Sequence, residues 1–288
     1  MERQRGPASA RQHREGAVST RRWAWTGAFI GAVLALVSQA PAYWLAQLVA
    51  QVSGERVILQ NPQGTVWQGS AQAVLSAGPQ ADASNTALPT RLQWQLGPHF
   101  DFSAAHLVLR LSLSSTCCTT QPISVDVTPQ WRGVRVQVND QRSTWPASWL
   151  TGLGAPWNTL QPEGALQLST QQLAWQHIAG QAQFQGQAQL QLQQLSTRLS
   201  TLKPLGSYRV VLQGTGNAAT GSEAGDTMRL TLDTVEGSLQ LQGTGQWRNG
   251  RLQFNGEASS EPDAQAALSN LLNILGQRQG AKSILKLG

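Results

Sequence analysis

Residues 181–193 read "QAQFQGQAQLQLQ". Gln occupies every odd position, and Ala182, Phe184, Gly186, Ala188, Leu190 and Leu192 occupy the even ones. A strand points successive side chains to opposite faces, so this period-2 pattern gives one apolar face and one polar, uncharged face. A chain carrying such a segment must build a sheet and bury one side of it. Fully extended, these residues would reach about 43 Å at ~3.3 Å each, well beyond the usual strand of about 5–6 residues. A bend near Gly186 is therefore expected.

The same alternation recurs along the chain. In "LQNPQGTVWQGSAQAVL" (59–75), Trp67, Gly69, Ala71, Ala73 and Leu75 share one parity, and Gln68, Ser70 and Gln72 take the other. "RLQWQL" aligns Leu92, Trp94 and Leu96, and "HLVLRLSL" aligns Leu107, Leu109, Leu111 and Leu113. "ISVDV" and "VRVQV" flank a turn at "TPQWRG". Leu239, Leu241, Gly243, Gly245 and Trp247 form another stripe before Asn249-Gly250, a strong hairpin signal, and Leu252 and Phe254 return. Two segments break the pattern. Residues 143–164, with three Trp, read as an irregular connection holding a short helix near 146–151 and a possible subdivision of the strands. Residues 261–280 read as a helix: Ala264, Ala267, Leu268, Leu271, Leu272 and Leu275 make one stripe, Pro262 and Asp263 suit its start, and Gly276 suits its cap. "KSILKLG" suits a last short strand. The fold class is mainly β: a curved antiparallel sheet, closed or left as a half-open groove, with a short C-terminal helix.

The net charge of +6 is uneven. Six Arg and two Glu precede Trp23, and fifteen Lys+Arg against thirteen Asp+Glu follow it. No basic patch interleaved with aromatics appears downstream, which argues against nucleic acid. No charge lies between Arg22 and Glu55. Trp23–Ala42 has the length of a membrane span, with Trp and Tyr at its ends, and the Arg-rich start would stay cytoplasmic. "APA" at 40–42 also fits cleavage of a signal peptide. Either way the bulk of the chain would lie outside the inner membrane, tethered to it if the anchor is kept. Pro41 should end the first helix, and "AYWLAQLVAQV" would follow as a stalk. The organisation is then 1–22 cytoplasmic arm, 23–52 anchor and stalk, and 53–288 β-rich domain.

Chemistry is hard to find. The four His, at 13, 99, 106 and 177, lack metal-ligand spacing. No nucleophile elbow or phosphate loop occurs, and "GTGN" and "GTGQ" open no helix. Asp126, Asp140, Glu163, Asp233 and Glu236 are scattered. No catalytic, cofactor or metal residue is assigned, and no enzyme activity is expected. Cys117 and Cys118 could bond to each other, link two chains, or remain loop thiols. The eleven Trp either fill a thin β core or supply contacts. Trp67, Trp145, Trp149 and Trp157 are the candidates for an interaction surface.

Four stretches together resemble the type II secretion system protein N family: "NPQGTVWQGSA" (61–71), "LGAPWNTLQPEG" (153–164), "LKPLGSYRV" (202–210) and "LLNILGQRQGAKSILKLG" (271–288). The resemblance runs over roughly 39–288. It implies an accessory inner-membrane component with a periplasmic β domain, in machinery that moves folded proteins out through an outer-membrane secretin. It implies as partners the secretin, the inner-membrane platform, or both, and no enzyme activity or cofactor. The Arg-rich arm and the Cys pair depart from it. An alternative is a lipid-handling module, in which the apolar faces of 182–192 and 239–247 line a groove.

Overall fold

The computed structural model describes residues 20–79, 85–101, 106–178, 181–215, 228–248 and 251–287. The Arg-rich arm before Thr20 and the Asn249-Gly250 turn lie outside these. The chain divides between Ala40 and Pro41 into two compact units. The first contains α1 (Thr20–Ser38), whose Trp23, Trp25, Phe29, Ile30, Leu34 and Leu36 are exposed. Among the described residues no helix is long and apolar enough to cross a membrane. The expected span Trp23–Ala42 is not one helix. It closes with Gln39 N–H on Ala35 O at 3.0 Å, and Pro41 is extended (φ −71°, ψ 146°). The uncharged part, Trp23 to Ser38, rises only about 24 Å at 1.5 Å per residue.

The second unit opens with α2 (Ala42–Val52), followed by β1 (Val57–Gly64), β2 (Gln68–Leu75), β3 (Thr86–Ala87), β4 (Leu92–Asp101) and β5 (His106–Ser114). Next come β6 (Ile123–Gln130), β7 (Gly133–Val138) and β8 (Gln141–Pro146). A 3-10 helix (Ala147–Leu153) and α3 (Trp157–Leu160) lead to β9 (Glu163–Ile178), β10 (Gln181–Ser196), β11 (Gly206–Thr215) and β12 (Met228–Glu236). The chain ends with β13 (Leu239–Arg248), β14 (Arg251–Ser260), α4 (Gln265–Leu275), β15 (Gln277–Gln279) and β16 (Lys282–Leu287). These strands form one antiparallel, 16-stranded sheet that does not close. β3 pairs with β2, and β8 shares β9 with β7. Elsewhere, neighbours in sequence are neighbours in the sheet until β16 inserts between β14 and β15.

Register carries one apolar face across the sheet. Trp94 pairs with Leu113, Leu111 with Val125, Val127 with Val136, Val136 with Trp175, and Trp175 with Phe184. Beyond β10, Leu190 pairs with Val210, Val210 with Leu232, Leu232 with Gly243, and Gly245 with Phe254. The expected irregularity at Gly186 is present, and its cause lies in β9. Gln185 pairs with Ala174 and Gln187 with Gln171, so Gln172 and Leu173 together oppose Gly186. This bulge switches the inward parity of β9 from Trp175 and Leu173 to Thr170, Leu168 and Leu166, and it bends the strand. Gly186 has φ +88°, and a Cβ there would lie 2.2 Å from Gln172 O, so glycine is required.

The turns β1–β2, β4–β5, β6–β7, β9–β10, β11–β12 and β13–β14 lie at one end of the strands, here the tip end, and the other end is the base. Two buried clusters lie toward the base. In one, Leu268, Leu271 and Leu272 of α4 cover Leu192, Tyr208, Leu239 and Ala258. Burying each such leucine contributes about 1.5–3 kcal/mol. In the other, Ala42 and Ala46 of α2 pack with Leu59, Ala71, Ala73 and Trp94. The expected stalk thus lies against β1 and β2, where its alanines allow close approach. Trp145 packs against both clusters, so the 143–164 connection joins the two sets of strands within one sheet. Gly276 is extended (φ −174°) and makes no left-handed cap. A Cβ there would meet Ile284 O at 2.3 Å, because α4 runs directly into the β15–β16 hairpin.

Aromatic rings cover glycines on the strand beside them. Gly69 pairs directly with Trp94, and a Cβ on it would lie 2.5 Å from Trp94 Cζ2. Phe254 covers Gly243 of β13 in the same way, and its ring also lies over Gly256 two residues along its own strand. Gly69→Val should cost about 1–3 kcal/mol by overpacking this site. The urea midpoint should fall with the slope unchanged, and an unchanged midpoint would refute the packing argument.

Candidate interaction surfaces

The Trp residues singled out from the sequence do not form one cluster. Trp145 and Trp149 stack with centroids 5.5 Å apart, and Trp145 Nε1 donates to Ser143 Oγ at 2.9 Å. Both rings are half-buried against the α2-side cluster. Trp149 Nε1 is buried without a hydrogen-bond partner among the described residues. Trp157 packs on the α4-side cluster. Trp67 lies in the bend before β2, where its carbonyl accepts Leu96 N–H at 2.6 Å. The expected stripe therefore starts at Gly69, and Trp94 fills that side. The Trp94 indole N–H points to Thr65 O and Val66 O at 3.2 and 3.1 Å.

Cys117 and Cys118 are bonded to each other. Cys118 is buried and Cys117 exposed. Thr144 N–H donates to Cys118 O at 2.9 Å, which ties the β5–β6 connection to β8 at the base.

Asp126, Asp140, Glu163 and Glu236 are held in separate structural contacts. Asp126 receives a two-pronged contact from Arg110, at 2.6 and 2.7 Å. Asp140 Oδ1 accepts the Gln172 backbone N–H at 2.6 Å, Glu236 accepts Ser207 Oγ–H at 3.0 Å, and Glu163 meets Lys203 at 3.3 Å. Hydrogen bonds from Lys282 and Gln242 hold the Glu257 carboxyl below its usual range. Burial pushes the Tyr208 hydroxyl above its usual range, and that hydroxyl donates to Leu239 O at 3.0 Å. Among the described residues no three His, Cys, Asp or Glu converge in a metal-binding group. The hollows along the sheet are lined mainly by Gln, Ser and Gly, with Asp140, Asp233 and Glu236 in separate ones. The one beside Trp94 holds about 440 Å³, between residues such as Gln63, Gln68, Gln93 and Ser112. Such walls lack the apolar lining of a typical small-molecule pocket.

The tip end differs from the base. Phe100 is 45 % exposed, Leu107 61 %, Trp131 99 %, Trp175 39 % and Trp247 37 %. Leu107 was expected on a buried stripe. It shares that face, but it lies beside the β4–β5 turn, beyond the cover of α2.

This open, helix-backed sheet coincides with a family match: the model of type II secretion system (T2SS) protein N matches residues 55–284. The chain belongs to the T2SS protein N family. No curated protein and no solved structure gives a significant match. Membership in the T2SS protein N family implies a role in type II secretion as a structural component, with partners in that machinery and a place in the cell envelope. The family's match begins just before β1 and ends within β16, so it takes in β1 to β15 and the start of β16.

The bonded cysteines predict a direct outcome. Denatured without reductant, the chain should take up no iodoacetamide and run as a monomer. After reduction it should take up two labels, one per cysteine. A covalent dimer, or labelling without reductant, would exclude the Cys117–Cys118 bond.

Proposed function

We propose that the chain is an accessory component of the type II secretion machinery, anchored in the inner membrane by its N-terminal segment, with the β-rich domain from about residue 53 onward in the periplasm. The family match over 55–284 carries this reading. The exposed apolar side chains of α1 support the anchor, because no described residue of their own compact unit covers them. The secretin, the inner-membrane platform, or both, would be the partners. A sheet that ends in open edges at β1 and β15 offers main-chain groups for strand addition. The half-buried pair Trp145 and Trp149, with Trp67 and Trp157, remains the proposed contact set.

A second reading, a lipid-handling groove, has one observation in its favour: the tip half of the apolar face lacks a helical cover. Against it, Leu190, Leu192, Leu239 and Leu241, the four leucines of the imagined lining, pack in the α4-side cluster as core.

Deleting the gene should strand folded exoproteins in the periplasm while the outer membrane stays intact, and this chain should restore their release. In-cell crosslinking should capture another secretion component. Normal secretion in a strain that leaks to detergents would move the assignment to lipid handling.

A further inference from the structure

We propose that the outer face of α2 rests on the membrane, seated at the boundary between lipid headgroups and acyl chains. This deepens the anchor reading above and rests on it.

α2, AYWLAQLVAQV, carries no charge. At 3.6 residues per turn, Ala42, Leu45, Ala46 and Val49 fall on one side, and Tyr43, Trp44, Gln47, Leu48, Gln51 and Val52 fall on the other. The first side packs with Leu59, Ala71, Ala73 and Trp94 of the sheet. The second side is open, and its Tyr43, Trp44, Leu48 and Val52 are each more than half exposed. α4 shows what a helix needs on this sheet when only one side is covered. It has the same length, 11 residues, and buries Leu268, Leu271 and Leu272. Its exposed residues are Gln265, Ala266, Asn270, Asn273 and Ile274, with a single large apolar side chain among them. α2 presents four. A helix that is apolar on both sides is one that is covered on both.

The chain around α2 indicates what that cover is. Only Gln39, Ala40 and Pro41 separate α1 from α2. The four steps from Ser38 to Ala42 span at most about 14 Å. A chain anchored through α1 therefore delivers α2 to the bilayer surface. No charge lies between Arg22 and Glu55, so neither the link nor α2 carries a group that resists the interface. Tyr43 and Trp44, in the first turn, are the residue types that membrane–water boundaries favour. Leu48 and Val52 follow Trp44 one and two turns on along the same stripe. A helix lying in the interface sinks its apolar face by about 5–10 Å. Glu55 and Arg56, exposed just past Val52, return the chain to water. Another protein could cover the stripe alone. The short link to the anchor is what favours lipid. With no charge on α2, the contact is hydrophobic and indifferent to the charge of the lipid.

The test uses the full chain in nanodiscs, with an environment-sensitive NBD dye on Gln51→Cys, an exposed position beside the stripe. Cys117 and Cys118 are bonded to each other, so the new thiol is the only one free. Two further chains carry the dye on Ala266→Cys, on the exposed side of α4, and on Ile30→Cys, in α1. The proposal requires the dye at residue 51 to shift blue. Lipids brominated near the headgroup end of the acyl chain should quench it more than lipids brominated near the methyl end. Both effects should be equal in POPC and in POPE and POPG at 3:1, and should persist in half-molar salt. The dye at residue 266 should stay in water. Combined Trp44→Gln, Leu48→Gln and Val52→Gln should abolish the quenching at residue 51. These side chains are exposed, so α2 keeps its packing on the sheet. An unquenched dye at residue 51 overturns the proposal, whether it stays in water or shifts blue under a protein cover. Quenching that survives the triple change, or that occurs only with POPG, also overturns it. The dye at residue 30 reports on the anchor separately. Quenching there without quenching at residue 51 keeps the anchor and removes the α2 contact, and the reverse keeps the contact and removes the anchor.

Discussion

Cross-strand pairing of one apolar face is the constraint on which the rest of this sheet depends. A side-chain period of two means that a slip of one residue in any ladder would turn that strand's leucines and valines to water. The chain pins the register at several points. Trp94 seats on Gly69, Phe254 on Gly243, and the opposed pair Gln172–Gly186 absorbs one extra residue in β9. Each device fits only one alignment. A ring needs the missing Cβ of its neighbour, and a bulge needs a residue that tolerates positive φ.

The helices then determine how much of that face is sealed. α2 and α4 are short, and each covers one end of the strand order toward the base, with Trp145 between the two clusters. The tips of the longer strands extend past them, whereas α2 starts beside the β1–β2 turn, where Pro41 bridges to Thr65. The difference between base and tip is thus a matter of length: β9 and β10 are 16 residues each, and α4 is 11. At about 3.3 Å per residue against 1.5 Å, no such helix can shield strands of that reach.

The alternation of β10, β13 and β14 was readable because Gln and apolar residues keep strict parity there. β9 was harder, since its parity switches at Gln172, and the alternation in "LQLSTQQLAWQ" breaks where the bulge lies. Trp67 was assigned to a strand because it continues the parity of Gly69, but the turn after Gly64 takes it out of the ladder. Gly276 looked like a cap because it follows a helix, whereas its small size serves a carbonyl of β16.

Nearest-neighbour pairing has a further consequence. Apart from the short detours of β3 and β8 and the final β15–β16 exchange, each strand adds one step beside the last. At about 4.8 Å per step, the ladder from β1 to β15 measures roughly 60 Å along its pairing direction. A hairpin inserted in the middle would widen it by about 10 Å without rewiring any other pair. The protein is, in this respect, a ruler: the number of hairpins sets the distance between its two open edges.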